Sequence, residues 1–398
     1  MIHEAPIDSV GHGAVGVARI DGKVHFVPDA LPGSVVRFEV TEDKGTWARG
    51  RLIDVVDPSP FATSPVCRHA DTCGGCQWQH ARPVAQREWK RRVVVDSLER
   101  IGGIEDPPVE RTRQAGPPFG YRNRMDFSVS EGRPALHRRR SDELVALEEC
   151  PVLHPLVEGM LGLPGLGGLD GFTLRAGVRT GARLVVINGD LPGGAEDWGV
   201  PVCRVSGGSV EPLVGDPFLK EVVAGVPFRI TGSAFFQNST EGADVLAEVA
   251  AAAAGRGGTL LDLYAGGGLF SCTIGRRFER VVAIESAGLA TDDFAHNAAG
   301  LDHVELHRAR VERSGDLLAS FTGSTVIADP PRAGLGRKGV EVVVGAQPDK
   351  IVLVSCDPGS LGRDARQLRE AGYWLAESVP LDLFPQTFHV EVVSTFER

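Results

Sequence analysis

Apolar and polar residues alternate through the first 57 positions. The stretches GHGAVGVARI, GKVHFVP, SVVRFEVTEDKG and WARGRLIDVVD are separated by glycine-bearing turns about every ten residues. Successive side chains of a strand point to opposite faces, so a period of two predicts short, half-buried strands. Their even spacing predicts a small antiparallel barrel of the OB type over residues 1–57. The proline-rich DPSPFATSP (Asp57 to Pro65) reads as a linker. From Pro83 to Ile101 the period lengthens, and Val93, Val94, Leu98 and Ile101 fall at helical spacing. Residues 119–230 read as irregular, β-rich and punctuated by glycine, most densely in GMLGLPGLGGLDG (Gly159 to Gly171).

From about residue 240 the pattern changes. An alanine-rich helix (Ala243 to Ala254) leads to the strand TLLDLYA, a glycine turn and a helix. RVVAIES, VELHR, STVIADPP and KIVLVSC follow as strands, with a helix running through Asn297, and the chain ends on HVEVVSTFER. Strands alternating with helices predict a doubly wound α/β domain. Ligands of such domains bind at the carboxyl ends of the strands, so the residues standing there become the candidates.

LDLYAGGGLFS (Leu261 to Ser271) puts an acid and a glycine turn at the first of these ends, and Glu285 ends the next strand 23 residues after Asp262. Glycines let the backbone approach a ligand, and an acid at that spot binds the two hydroxyls of a ribose. The strict dinucleotide pattern GxGxxG fails because position 271 is Ser. That moves the expected cofactor from a dinucleotide to S-adenosylmethionine. In ADPPRAGL two prolines make a rigid turn that holds Asp329 toward the same crevice. Amino-group methyltransferases often carry an aromatic after the two prolines; here Arg332 follows, which disfavours an exocyclic amine as target.

Cys356 ends the strand KIVLVSC. A lone cysteine after an apolar strand is most simply a core residue, and a thiol must be activated before it attacks. Here Asp-Pro follows at once and turns the chain out of the sheet, toward the crevice already predicted. Glu391, 35 residues further on in the last strand, is a candidate proton acceptor. A second cysteine group, Cys67-x5-Cys73-x2-Cys76, is joined by Cys150, which lies 74 residues on and precedes a proline. Four such thiolates suit a metal site, and the spacing alone admits an iron–sulfur cluster or zinc. Cys203 and Cys272 have no such company and read as core residues.

Charge modifies this picture in one place. The net charge of -10 argues against nucleic acid as a partner of the whole surface. Residues 60–150, however, hold 15 basic against 13 acidic residues, whereas 1–59 hold 6 and 9, and 151–398 hold 21 and 30. The basic residues gather in KRR (Lys90 to Arg92), YRNRMDF (Arg122, Arg124) and RRRSDEL (Arg138 to Arg140). Seven cysteines, an odd number, are not expected to form structural disulfides in a reducing compartment. MIHEAPIDSV lacks a basic region followed by an apolar one, and no apolar run reaches the roughly 18 residues of a membrane span. A cytoplasmic monomer without membrane contact is the expectation.

Together these motifs resemble one family along nearly the whole chain: the S-adenosylmethionine-dependent RNA uracil-5 methyltransferases, in the branch with an N-terminal TRAM domain and a [4Fe-4S] cluster. GVARIDGKVHFVPDALPGSVV resembles a TRAM domain, an OB-like RNA-binding barrel, and FGYRNRMDFSV resembles the family's segment near the RNA path. The resemblance implies three units: the TRAM domain (1–57), a β-rich central domain carrying the metal cluster (58–234) and a Rossmann-like methyltransferase domain (235–398). It implies that Cys67, Cys73, Cys76 and Cys150 ligate the cluster, with zinc as the alternative metal. Gln237 of FFQNS, Tyr264 and Gly266 of the glycine turn, Glu285 and Asp329 inherit cofactor contacts. Cys356 of VSCDPGSLGRD inherits the nucleophile's role and Glu391 of HVEVV that of the base. The chain departs from the family at Ala265, where Cys is usual, and at Leu269, where Asn or Thr is common.

The implied reaction is methylation of a single-stranded or loop uridine of ribosomal or transfer RNA at C5, through a covalent adduct of Cys356 with C6. Two other readings compete. An RNA-binding scaffold with an inactive methyltransferase fold is disfavoured by the intact set Gln237, Asp329, Cys356 and Glu391. A DNA cytosine methyltransferase would carry its nucleophile in a Pro-Cys pair early in the domain.

Overall fold

The computed structural model describes residues 1–398, and the site is positioned by three β-sheets and a hairpin. The alternating N-terminal stretches form one curled six-stranded sheet, from Ile2–Pro6 through Trp47–Asp57. Its inward residues, Ala18, Val27, Val36 and Phe38 among them, make a small core of their own, as the period of two requires. The proline-rich stretch after it is pinned in place. Ser59 is buried and its hydroxyl donates to the Pro32 carbonyl at 2.7 Å, while the Thr63 N–H donates to the His80 carbonyl at 3.0 Å.

The middle of the chain forms a seven-stranded sheet packed on Phe127, Phe172, Leu174, Val185 and Ile187. The C-terminal sheet has eight strands, in the order Val304–Arg308, Phe278–Glu285, Gly257–Leu263, Thr325–Ala328, Lys350–Ser355, Glu391–Glu397, Trp374–Asp382 and Arg113–Gln114. The first five are parallel, and Glu391–Glu397 runs antiparallel to both its neighbours. Helices cover both faces, which is why TLLDL, RVVAI and IVLVS are apolar almost without interruption. The order of connection reverses between Gly257–Leu263 and Thr325–Ala328. That reversal opens the crevice in which ligands of such sheets lie.

Parts of the 58–234 stretch join this C-terminal unit. Helix Pro83–Arg100 inserts Val94, Val95 and Leu98 into the same core cluster as Leu361, Ala365 and Leu368 of helix Pro358–Glu370. Arg113–Gln114 supplies the edge strand beside Trp374–Asp382. The hairpin of Phe218–Val223 and Val226–Thr231 shares a core with helix Thr240–Ala254 through Phe228, Ile230 and Leu246. The helix and the hairpin each also bridge to another unit: Trp89 and Val93 of the helix share a cluster with Val10 and Leu31, and Leu219 of the hairpin shares one with Leu184 and Val186.

Candidate active site

The strand Gly257–Leu263 runs into a left-handed turn. Tyr264 has φ 60° and Gly266 φ 54°. A non-glycine residue rarely holds this state, and where it does, the surroundings over-determine it. The Tyr264 hydroxyl donates to Glu312 Oε1 at 2.8 Å. The Gly266 N–H donates to Glu285 Oε2 at 2.9 Å, and Oε1 accepts from the Ser286 and Ala287 N–H groups at 2.6 and 2.7 Å. Glu285 thus staples the turn to the next strand, with carboxylate lone pairs left for a ligand. No atom lies within 4 Å of where a Cβ on Gly266 would stand, so the turn borders open space. Leu269 and Ala265 are buried, and neither offers a polar side-chain atom to the crevice.

Gln237 is buried, and its neighbour Phe236 packs on Phe228 with ring centroids 5.3 Å apart. Two residues distant in the chain hold this segment. Arg175, buried without a carboxylate partner, donates from Nη1 to the Thr231, Gly232 and Ala234 carbonyls at 3.2, 2.8 and 2.8 Å. Burial pulls its guanidinium down to about 9. Asn123 donates from its backbone to the Asn238 carbonyl at 2.9 Å and from Nδ2 to Thr240 Oγ1 at 3.1 Å. In YRNRMDF it is therefore the asparagine that holds the segment following Gln237. Arg124 is half-buried and pairs with Asp126 at 3.2 Å.

Acids dominate the floor of the crevice. Asp262 is fully buried; its Oδ2 accepts from the Ser271 N–H at 2.9 Å and hydroxyl at 2.6 Å, and its Oδ1 has no partner. Burial pushes its carboxyl up to about 7. Asp329, at the end of the adjacent strand, is likewise pushed up to about 7, by burial and by the Asp262 charge. Glu391 is buried with Oε1 unpartnered, and burial, then Asp329, hold it well above the usual carboxylate range.

The sheet register brings Cys356 and Glu391 near one another. Ser355 pairs with Val392 across antiparallel strands. Cys356 directly follows Ser355 and Glu391 directly precedes Val392, so the two residues leave the last paired position side by side, and the Glu391 charge acts on the Cys356 thiol. The thiol is pushed up to about 11, chiefly by burial and then by Glu391 and Asp329, with Arg332 opposing them. Arg332 is set by its loop. Asp364, on the helix that follows Cys356, accepts from the Leu335 and Gly336 N–H groups at 2.8 and 3.1 Å. Gly334 stands there with φ 81°, where a Cβ would lie 2.3 Å from Asp364 Oδ2.

A row of aromatic and charged side chains leads from the N-terminal sheet to this site. His12 Nε2 lies 3.3 Å from Oδ2 of Asp357, the residue after Cys356. The Asp357 side chain also caps helix Pro358–Glu370, accepting from the Ser360 N–H at 2.8 Å. The His12 ring meets Phe388 edge-on at 5.6 Å, Phe388 lies 4.2 Å from His389, and His389 Nδ1 is 3.4 Å from Arg332 Nη2. Burial and then Arg332 pull His389 down to about 4.

Cys67, Cys73, Cys76 and Cys150 line one cavity of about 30 Å³, together with Tyr121 and Arg122. Burial pushes the Cys73 thiol up, Cys76 to about 11 and Cys150 to about 12. The four thiols share a wall without converging: no three His, Cys, Asp or Glu side chains are grouped as a single metal ion requires. Cys203 and Cys272 are buried in the core. Asp262 stood out in the sequence as an acid in an apolar strand but not as a member of the site. Nothing in the sequence marks His12, Arg175 or Asp364, whose partners are remote in the chain or bonded through backbone.

The doubly wound sheet, the turn at its switch point and the acids around it define an α/β methyltransferase. Residues 223–398 match the model of the tRNA (uracil-5-)-methyltransferase family. An uncharacterized RNA methyltransferase of Gloeobacter violaceus is 34% identical over 99% of this chain and 96% of its own. One from Caldanaerobacter subterraneus is 31% identical over 100% and 98%. The tRNA (uracil-54, C5)-methyltransferase of Pyrococcus abyssi, solved with S-adenosyl-L-homocysteine, superposes with a TM-score of 0.77 at 26% identity, covering 99% of this chain and 100% of that one. The chain belongs to the tRNA (uracil-5-)-methyltransferase family. No helix is long and apolar enough to cross a membrane.

Proposed function

We propose that this protein is a cytoplasmic, monomeric enzyme that methylates C5 of a uridine in transfer or ribosomal RNA through a covalent adduct on Cys356. The observation that supports the reading is that Cys356 and Glu391 flank the last strand pair, Ser355 with Val392, and that Glu391 and Asp329 both act on the Cys356 thiol. S-adenosylmethionine fits the crevice because buried carboxyls with unpartnered oxygens line it and a left-handed turn borders open space there. When bound, it supplies an electrophilic methyl group.

C5 of uracil is a weak nucleophile. The Cys356 thiolate adds to C6, forming a C–S bond and pushing electron density to C5. C5 then takes the methyl group. Glu391, as carboxylate, removes the C5 proton, the C5–C6 double bond re-forms, the C6–S bond breaks and the thiolate is restored. Covalent catalysis here divides one difficult substitution into an addition and an elimination. Gln237, Tyr264, Gly266, Glu285 and Asp329 line the cofactor crevice in this account. Arg332, the one cation acting on both Cys356 and Glu391, offsets the charge gathered there. The uridine is presented single-stranded or flipped from a loop, since Glu391 is buried and a stacked base could not reach it. The N-terminal sheet is a TRAM barrel, and the row His12, Phe388 and His389 offers its RNA stacking faces on the way in.

The four cysteines hold a [4Fe-4S] cluster in this reading. What supports a metal there is that all four line one cavity, with zinc the alternative to the cluster. Replacing Cys356 by Ala tests the catalytic reading: methyl transfer to RNA is abolished while S-adenosylmethionine still binds. Methyl transfer at the normal rate by that variant contradicts it.

A further inference from the structure

The loop from Leu383 to Val390 joins the two antiparallel strands at the sheet's edge and delivers Glu391. Within itself it makes one tight turn, in which Thr387 N–H and Oγ1 donate to the Phe384 carbonyl at 3.3 and 2.8 Å. The His389 N–H also donates to Thr387 Oγ1 at 3.2 Å, and His389 meets Arg332; most of the remaining anchorage comes from residues 264 to 300 or more positions earlier in the chain.

Gln386 is the centre of that anchorage. Its carbonyl accepts the N–H groups of Gln77 and Trp78 at 3.0 and 2.9 Å. Its own N–H donates to Gln86 Oε1 at 2.9 Å, and Gln86 Nε2 returns a bond to Gln386 Oε1 at 3.0 Å. Gln86 Nε2 also reaches the Trp78 and Ala81 carbonyls at 2.9 and 2.8 Å. Gln386 Nε2 donates to the Pro118 carbonyl at 3.3 Å, the Tyr121 hydroxyl to the Pro385 carbonyl at 3.1 Å, and Lys90 Nζ to the Phe384 carbonyl at 3.0 Å. All four side chains are buried.

Gln386 holds φ 70°, a backbone state that a non-glycine residue keeps only where its surroundings over-determine it. Routine satisfaction of buried polar groups does not need so many side-chain bonds on one short loop. What these bonds fix is the backbone five residues before the base.

We propose that the Gln86–Gln386 amide pair, with the Tyr121 hydroxyl, sets the position of Glu391 and that these three are positioning residues for removal of the C5 proton. The inference rests on the reading of Glu391 as the base. Cys356, Asp329 and the cofactor turn lie on other elements; the loop meets their surroundings through Phe388 on His12 and His389 on Arg332, and none of the Gln86, Gln386 or Tyr121 bonds involves those contacts. Loosening it therefore slows the elimination that follows methyl transfer more than the steps before it. The expected signature is methylated RNA stalled on Cys356.

The test uses the full chain with labelled RNA and S-adenosylmethionine, in four single variants. Gln386→Ala and Gln86→Ala break the pair from either side. Tyr121→Phe removes one hydroxyl and guards against loss of folding in the other two. Glu391→Gln reports on the base itself. The two alanine variants are expected to lose about ten-fold or more in kcat, Tyr121→Phe less, with KM for S-adenosylmethionine within about two-fold and a protein–RNA band on a denaturing gel. A fall in kcat without that band, a rise in cofactor KM of the same size, or unchanged kcat in folded variants overturns the proposal. If Glu391→Gln itself leaves no band, the reading of the base has failed, and that outcome is separate from any result at Gln386.

Discussion

Burial and the Glu391 charge raise the proton affinity of the Cys356 thiol, while burial and Asp329 raise that of Glu391. The thiol therefore rests protonated near neutral pH, and the reaction must lower its cost of ionisation. Replacing Glu391 by Gln removes one of the two negative charges that lift it. The sign follows directly: the Cys356 pKa falls, and the rate of Cys356 alkylation by iodoacetamide rises at a lower pH than in the wild type. An unmoved profile would mean that the two side chains do not sense one another. Both residues were legible in the sequence, because strand ends in a doubly wound domain point to one edge and the motifs around Cys356 and Glu391 are local. Asp262 was half legible, as an acid inside LLDL whose bond to Ser271 the sequence cannot display.

Between elements, the decisive contact is the buried pair of Lys90, on helix Pro83–Arg100, with Asp382, at the end of strand Trp374–Asp382, at 2.5 Å. Burial pulls the ammonium down and Asp382 holds it up. Removing one partner of such a pair strands the other charge in the interior, at a cost of about 3–5 kcal/mol. Lys90→Met is therefore expected to lower stability to urea or heat by that order, and Lys90→Met with Asp382→Leu to recover most of it. The helix itself was legible from Val93, Val94, Leu98 and Ile101. Its partner was not. KRR read as part of a basic surface, yet Lys90 is its most buried member. A contact closed across 292 residues leaves no local signature.

At the scale of the molecule, the N-terminal sheet, the cysteine segment and the α/β domain meet at the catalytic edge. His12 reaches Asp357 from one side, and the Gln77–Trp78 backbone reaches Gln386 from the other. The alternation of residues 1–57 and the strand–helix alternation after 240 predicted two of these units. How closely the middle of the chain is built into the third was hidden, because the pairing of Arg113–Gln114 and the covering helix depend on faces that only the folded sheet presents. The cysteine cavity gives this scale its own prediction. If the four cysteines hold the proposed cluster, the purified protein is expected to be brown, to carry about four iron atoms per chain and to lose them when Cys150 is replaced by Ser; a colourless protein holding zinc contradicts the cluster.

The central claim, a covalent Cys356–uracil intermediate resolved by Glu391, is tested most directly by trapping. Glu391→Gln protein is incubated with labelled RNA and S-adenosylmethionine and run on a denaturing gel. The account predicts a protein–RNA band that disappears when Cys356 is also replaced by Ala. Free RNA alone, with 5-methyluridine still formed at the wild-type rate, would contradict it.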